Sequence, residues 1–281
     1  PVIFASSIHA ERDDPYGRSK KFAEIALEKH HEISKSPVAI LRLPNVFGKW
    51  CRPNYNSVVA TFCHKIAHNQ AIEIDDEQAE LELLHVGDLV AIFTDFLDNS
   101  ISGFKIFKNI KGTKVTVGKV AEMLQNFNTD REQLSVGKVA AGFERQLYAT
   151  FISYLPKRRF KYPVRALKDD RGTFVEIVKT PNAGQFSYFT AMPSVTRGGH
   201  YHNIKTEKFM VVHGQAKFCF KNIITGEYLE IETSAETPEI VETIPGWYHD
   251  VTNIGSSVLV VTVWANEIFD ANKPDTVKVV I

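Results

Sequence analysis

Short unbroken apolar runs alternate with longer amphipathic stretches through the first half of the chain. Val2-Ile3-Phe4-Ala5 and Val38-Ala39-Ile40-Leu41 have the form of strands covered on both faces, the habit of a parallel sheet. Between them, residues 16–31 predict a helix: Phe22, Ile25 and Ala26 make an apolar stripe, and Pro15 suits the entry. Asn56 or Ser57 can cap a second helix that carries Val58, Phe62 and Ile66. Residues 89–97 and 116–127 predict two more, the latter despite Gly118. Strands alternating with helices imply an α/β layered domain.

From about residue 160 the helical period is lost. Residues 186–192, 209–212, 216–220, 228–231 and 258–264 read as strands, with turn signals at Gly198-Gly199, His213-Gly214 and Thr225-Gly226. Many short strands with regular turns imply a sandwich or barrel. The expected fold class is therefore α/β followed by all-β. The join falls at residues 154–163, where Pro156 and Pro163 flank Lys157-Arg158-Arg159, which gives domains 1–158 and 159–281.

A length of 281 residues suits two such domains. Lys plus Arg is 33 and Asp plus Glu is 33, so the chain has no electrostatic footprint for nucleic acid or anionic lipid. No apolar run approaches the roughly 18–20 residues of a membrane-spanning helix, and no secretory signal opens the chain. Cys51, Cys63 and Cys219 form neither a CxxC pair nor an even framework, and they read as reduced thiols of a cytoplasmic protein.

Two constellations carry chemistry. Tyr16 and Lys20 stand at i and i+4, on one helix face. An ammonium near a phenol favours the phenolate and brings proton exchange towards neutrality. Ser7, closing the first strand, can donate to the same carbonyl oxygen; strand ends are where ligands sit in open α/β sheets. The order of strand, serine, YxxxK helix, second strand and Arg42-Leu43-Pro44-Asn45-Val46-Phe47-Gly48 resembles the extended short-chain dehydrogenase/reductase family, whose members act mostly on nucleotide sugars. The resemblance implies Ser7, Tyr16 and Lys20 as catalytic residues, with Ser6 the weaker candidate for the serine. It also implies NADPH as cofactor, Tyr16 and Lys20 at the nicotinamide ribose, and Asn45 and Asn56 as substrate contacts. The family's GxxGxxG turn would precede Pro1. The chain is accordingly expected to be the C-terminal part of a longer protein, with an incomplete cofactor site and a reductase inactive by itself.

The second constellation is His200-x-His202-x4-Glu207-x6-Gly214, followed by Pro245-Gly246-Trp247-Tyr248-His249-x3-Asn253. Residues two apart on a strand share a face, and imidazole with carboxylate suits zinc, iron, manganese or nickel. The pattern resembles both motifs of the cupin superfamily, a double-stranded β-barrel. It implies a divalent metal, zinc first, on His200, His202, Glu207 and His249. Asp169-Asp170-Arg171-Gly172-Thr173-Phe174 and Arg197-Gly198-Gly199-His200 resemble segments of the deoxysugar 3,5-epimerases, in which the first histidine is a base. His200 is thus open between ligand and base, and Arg171 is a candidate phosphate contact. Tyr201, Trp247 and Tyr248 are candidate proton donors or sugar platforms at the barrel mouth.

Through Phe47-Gly48-Lys49-Trp50-Cys51, Pro53-Asn54-Tyr55-Asn56-Ser57, residues 151–156 and 264–270, and Pro274-Asp275-Thr276, the whole chain resembles the two-domain epimerase/reductases of bacterial capsule and O-antigen synthesis. That implies C3 epimerisation of a UDP-activated 4-keto-6-deoxy-N-acetyl sugar in the cupin, NADPH-dependent C4 reduction in the first domain, and a homodimer. The rival readings are a non-catalytic sugar-binding or dimerisation module with a structural metal, and a metal-dependent cupin dioxygenase or isomerase.

Overall fold

Val38–Leu43 is buried at every position and forms the middle of a parallel sheet. The computed structural model describes residues 1–99 and 102–279. The chain separates into two units, Pro1–Thr129 with Lys138–Phe160, and Asp130–Gly137 with Lys161–Ile281. In chain order the first part runs β1 (Val2–Ser7), α1 (Pro15–Ser34), β2 (Val38–Leu43), β3 (Asn45–Phe47), α2 (Val58–Ala67), β4 (Glu80–His85), α3 (Val86–Asp98), β5 (Phe104–Phe107), β6 (Thr113–Thr116), α4 (Val117–Gln133) and α5 (Gly142–Ser153). One sheet has the parallel order β1-β2-β5, the other the order β3-β4-β6. Val59, Phe62 and Ile66 of α2, Leu124 and Phe127 of α4, and Leu147 and Phe151 of α5 pack into one core with Phe47 and Leu83.

Local chemistry sets the helix starts. Asp14 Oδ1 accepts from the Gly17 N–H at 2.7 Å, and Pro15 occupies the first position of α1. Gly17 lets the helix begin against the preceding turn, because a Cβ there would stand 2.4 Å from the Arg12 carbonyl oxygen. Of the two candidate caps for α2, Ser57 is the one that acts, accepting from the Ala60 N–H at 3.3 Å. The expected stripe on α1 is overturned. Phe22 is 69 % exposed and Ile25 37 %, whereas Glu24 is 2 % exposed. The buried face of α1 is organised by an ion pair, described below, rather than by apolar packing. Helix α5 had no counterpart in the sequence reading.

The second unit adds β7 (Ala166–Asp169), β8 (Gly172–Thr180), β9 (Gly184–Ala191), β10 (Thr196–Tyr201), β11 (Glu207–His213), β12 (Gln215–Asn222), β13 (Tyr228–Ser234), β14 (Val241–Glu242), β15 (Trp247–Asn253), β16 (Leu259–Ala265) and β17 (Val277–Lys278). They form two antiparallel sheets, of order β13-β12-β15-β10-β17 and β14-β11-β16-β9-β8-β7. Strand alternation turns Phe218 and Phe220, Phe209 and Val211, and Val261 and Val263 into a common core. Among the described residues, no helix is long and apolar enough to cross a membrane.

Candidate functional site

The end of β1 separates the two serines. Ser6 Oγ donates to Glu24 Oε1 at 2.6 Å, so its proton is committed. Ser7 Oγ accepts from the His9 N–H at 3.1 Å. Both serines line a cavity of about 610 Å³ together with Tyr16, Asn45 and Asn56, so it is the hydrogen bonding that distinguishes them. Tyr16 is 52 % exposed at the first turn of α1. One turn on, Lys20 Nζ lies 5.8 Å from the Tyr16 ring centroid and donates to the Ala5 carbonyl at 3.2 Å. The structure thus gathers Ser7, Tyr16, Asn45 and Asn56 on one cavity and keeps Lys20 beside Tyr16 without lining that cavity. His9 and Cys51 also line it, and neither was singled out from sequence.

Glu24 continues the Tyr16–Lys20 row by one more turn. Arg42 of β2 grips its carboxylate with Nε at 3.0 Å and Nη2 at 2.8 Å, and a third guanidinium nitrogen reaches Glu11. Glu24 and Arg42 are both almost wholly buried. Burial alone would raise the Glu24 pKa, but hydrogen bonds from Arg42 and Ser6 outweigh it and hold the carboxyl below its ordinary range. This network ties α1 to the strand ends that carry Ser7 and Asn45. In the sequence Arg42 is simply the charged residue near the end of the run Val38–Leu43.

In the second unit, a register shift between Gly198 and His200 interrupts β10 against β15. Gly198 and Gly199 have φ of +98° and +82°, conformations that favour glycine. His202 lies just past the strand end, yet its ring centroid is only 4.8 Å from that of His200. Glu207 opens β11, and His249 on β15 is the register partner of His200. One ligand atom from each of these four residues falls within 4.8 Å of the others.

The donor set fits a cation. His202 directs Nδ1 at the Asp275 carbonyl and Nε2 at Glu207 Oε2, 3.2 Å away. His249 directs Nδ1 at the Trp247 carbonyl, 3.3 Å away, and its Nε2 stands 3.3 Å from the same carboxylate oxygen. That buried Nε2 makes no hydrogen bond. With Nδ1 protonated on a carbonyl, each Nε2 presents a lone pair towards a carboxylate, which is repulsive unless positive charge lies between. Burial, then the fields of His249 and His202, push the His200 pKa down to about 4, so its imidazole is neutral near neutrality. Glu207 is held well below the carboxylate range: burial opposes this, but the neighbouring His202 and His249 rings and the charge of Lys205 prevail. Lys205 Nζ, 3.4 Å from Glu207 Oε1, was not among the sequence candidates.

His200 and Glu207 open onto a cavity of about 480 Å³, which Arg171 also lines. Arg171 is engaged by Asp169 through Nε at 3.0 Å and Nη2 at 2.5 Å. Trp247 packs against the barrel core. Tyr248 donates to Asp250 Oδ2 at 2.8 Å, and with Tyr201 it lies outside the lining of the cavities beside the cluster.

Residues 5–108 match the NAD dependent epimerase/dehydratase family, and residues 167–277 match the polysaccharide biosynthesis C-terminal domain. A UDP-2-acetamido-2,6-beta-L-arabino-hexul-4-ose reductase from Pseudomonas aeruginosa is 50 % identical over 276 residues, which are 98 % of this chain and 74 % of that protein. The chain belongs to this reductase family. Its fold is accordingly a Rossmann-like short-chain dehydrogenase/reductase part followed by a cupin barrel, and it is an enzyme. Two crystal structures of the capsular polysaccharide assembling protein CapF from Staphylococcus aureus are similar throughout. One has a TM-score of 0.93 at 40 % identity, covering 99 % of this chain and 76 % of CapF. The other has a TM-score of 0.87 at 36 % identity, covering 100 % and 78 %.

Proposed function

We propose that the protein completes a UDP-activated 6-deoxy-N-acetyl sugar for bacterial surface polysaccharide. The cupin epimerises a UDP-2-acetamido-2,6-dideoxy-4-hexulose at C3. The first unit then reduces C4 with NADPH, giving a 6-deoxy-talosamine-type sugar on the route to UDP-N-acetyl-L-fucosamine. The order is chemical: the C4 ketone acidifies the C3 hydrogen, and reduction removes that ketone. The observation that carries the reading is the cavity on which Ser7 and Tyr16 meet two amide side chains. The curated relative, a hexul-4-ose reductase by name, supports the same substrate class.

Reduction needs two groups at the C4 oxygen. Ser7 Oγ–H hydrogen-bonds the ketone and fixes its direction, and the Tyr16 hydroxyl transfers its proton to that oxygen as C4 becomes tetrahedral. Lys20 supplies the positive charge that steadies the phenolate left behind, which solvent then reprotonates. A bound reduced nicotinamide supplies the hydride, and Tyr16 and Lys20 are the residues that would hold its ribose. Asn45 and Asn56 offer amides to sugar or uridine.

In the cupin, His200, His202, Glu207 and His249 would hold a divalent ion, zinc first. Such an ion supplies charge that polarises a keto group. A base removes the C3 proton and an acid delivers a solvent-derived proton to the opposite face, with no net oxidation. Arg171 faces the same cavity as a phosphate contact once it exchanges Asp169 for a diphosphate. The near-complete burial of His202 and His249 favours a second reading, an ion that only braces the barrel. The opening of His200 and Glu207 onto the cavity favours catalysis. A homodimer, to be checked by sedimentation, and a cytoplasmic location complete the reading.

The test is loss of nicotinamide absorbance with the UDP-4-keto sugar and NADPH, in a protein that carries the family's GxxGxxG turn ahead of β1. Wild type should consume coenzyme, and Tyr16→Phe should slow consumption by roughly 10²–10⁴-fold. Equal rates in the two proteins would defeat the assignment.

A further inference from the structure

Hydrogen bonds converge on the Asp275 carboxylate from one turn. Oδ1 accepts from the Asn203 N–H at 3.0 Å and from Asn203 Nδ2 at 2.9 Å. Oδ2 accepts from the Ile204 and Lys205 N–H groups at 2.7 and 2.8 Å, and shares the Asn203 N–H at 3.2 Å. These three consecutive amides form the turn between His202 and Glu207. The backbone carbonyl of the same aspartate takes the His202 Nδ1–H, and Thr276 Oγ1 stands 3.4 Å from that nitrogen. The chain then continues as β17, pairing Lys278 with His200 and Val277 with Tyr201. Burial would raise the Asp275 pKa, but the three backbone hydrogen bonds hold it well below the carboxylate range.

The segment therefore hydrogen-bonds His202, pairs with the backbone of His200 and holds the turn that leads to Glu207. It fixes the tautomer and ring plane of His202 and sets the turn that delivers Glu207. It also runs beside the backbone of His200. A carbonyl only accepts, so the His202 Nδ1 keeps its proton and Nε2 is left with its lone pair towards Glu207. We infer that Asp275 is a positioning residue of the cupin metal centre, acting through the His202 ring and the turn at residues 203–205, and that the ion's affinity and geometry depend on it. This rests on the metal reading given above. The sequence separation of 73 residues between His202 and Asp275 puts the contact beyond any local motif.

The experiment measures zinc affinity of the full chain by competition with a chromophoric chelator, and the visible spectrum after cobalt substitution. Asp275→Asn keeps the shape and the backbone carbonyl but turns an amide donor towards the N–H groups of the turn. It should weaken zinc binding by roughly 10–100-fold and alter the cobalt bands. The unfolding midpoint of the metal-free protein should move less than that of the zinc-loaded protein, because only the latter contains the lost binding energy. If Asp275→Asn does not fold, Asp275→Glu keeps the charge, lengthens the arm, and should show the same affinity loss. Wild-type affinity and unchanged cobalt bands in a folded variant would overturn the inference, as would equal shifts of both midpoints. Failure of wild type to bind stoichiometric zinc would instead overturn the metal reading, and with it this one.

Discussion

Replacing Glu24 by glutamine removes one charge from a pair of which both members are almost wholly buried. The Arg42 guanidinium would keep only Glu11, whose side chain is 64 % exposed, and the new amide would turn a donor towards donors. Breaking a buried pair from one side costs about 3–5 kcal/mol, since the remaining charge stays desolvated. Glu24→Leu with Arg42→Met removes both charges and should recover most of that loss. Urea unfolding, followed by hydrogen exchange at the amides of Val38–Leu43, reads the first unit directly. The pH dependence has a definite sign. The carboxyl is depressed in the fold, so its stabilisation is present above the ordinary glutamate pKa of about 4.3 and is lost as pH falls through the lower native value. Acidification from about pH 5 should destabilise wild type more than the double variant. A Glu24→Gln protein within about 1 kcal/mol of wild type would refute the reasoning.

Other substitutions separate chemistry from scaffold. Ser7→Ala should slow coenzyme oxidation by roughly 10²–10³-fold. Ser6→Ala, which loses only the hydrogen bond to Glu24, should cost about 1 kcal/mol in urea unfolding and leave turnover nearly intact. Gly17→Ala places a methyl 2.4 Å from the Arg12 carbonyl oxygen and should destabilise by about 1–3 kcal/mol in a thermal melt. Arg171→Ala breaks an exposed pair with Asp169, so stability should change by less than about 1 kcal/mol while KM for the UDP-sugar rises.

Much of the site was legible because its signals are local. Tyr16 and Lys20 share a helix face by spacing alone, and the His200–Glu207 cluster is compact in sequence. His249 was found through its own turn, Pro245-Gly246. The contacts between distant residues were not legible. Asp275 reaches His202 only because β17 returns along β10. Arg42 looks like the polar end of a strand until α1 presents Glu24 to it. The same pair explains the failed stripe: once an ionic contact organises the inner face of α1, Phe22 and Ile25 are left on the outer one. Helix α5 was missed although Leu147, Thr150 and Phe151 carry its buried spacing.

The central claim is that two separate sites act on one ketone. Zinc-loaded protein in deuterium oxide with the UDP-4-keto sugar and no nicotinamide should place one deuterium at C3, seen by NMR and mass spectrometry. Tyr16→Phe should leave that exchange intact. No label at C3 with the cluster demonstrably occupied would contradict the account, and so would loss of exchange in Tyr16→Phe.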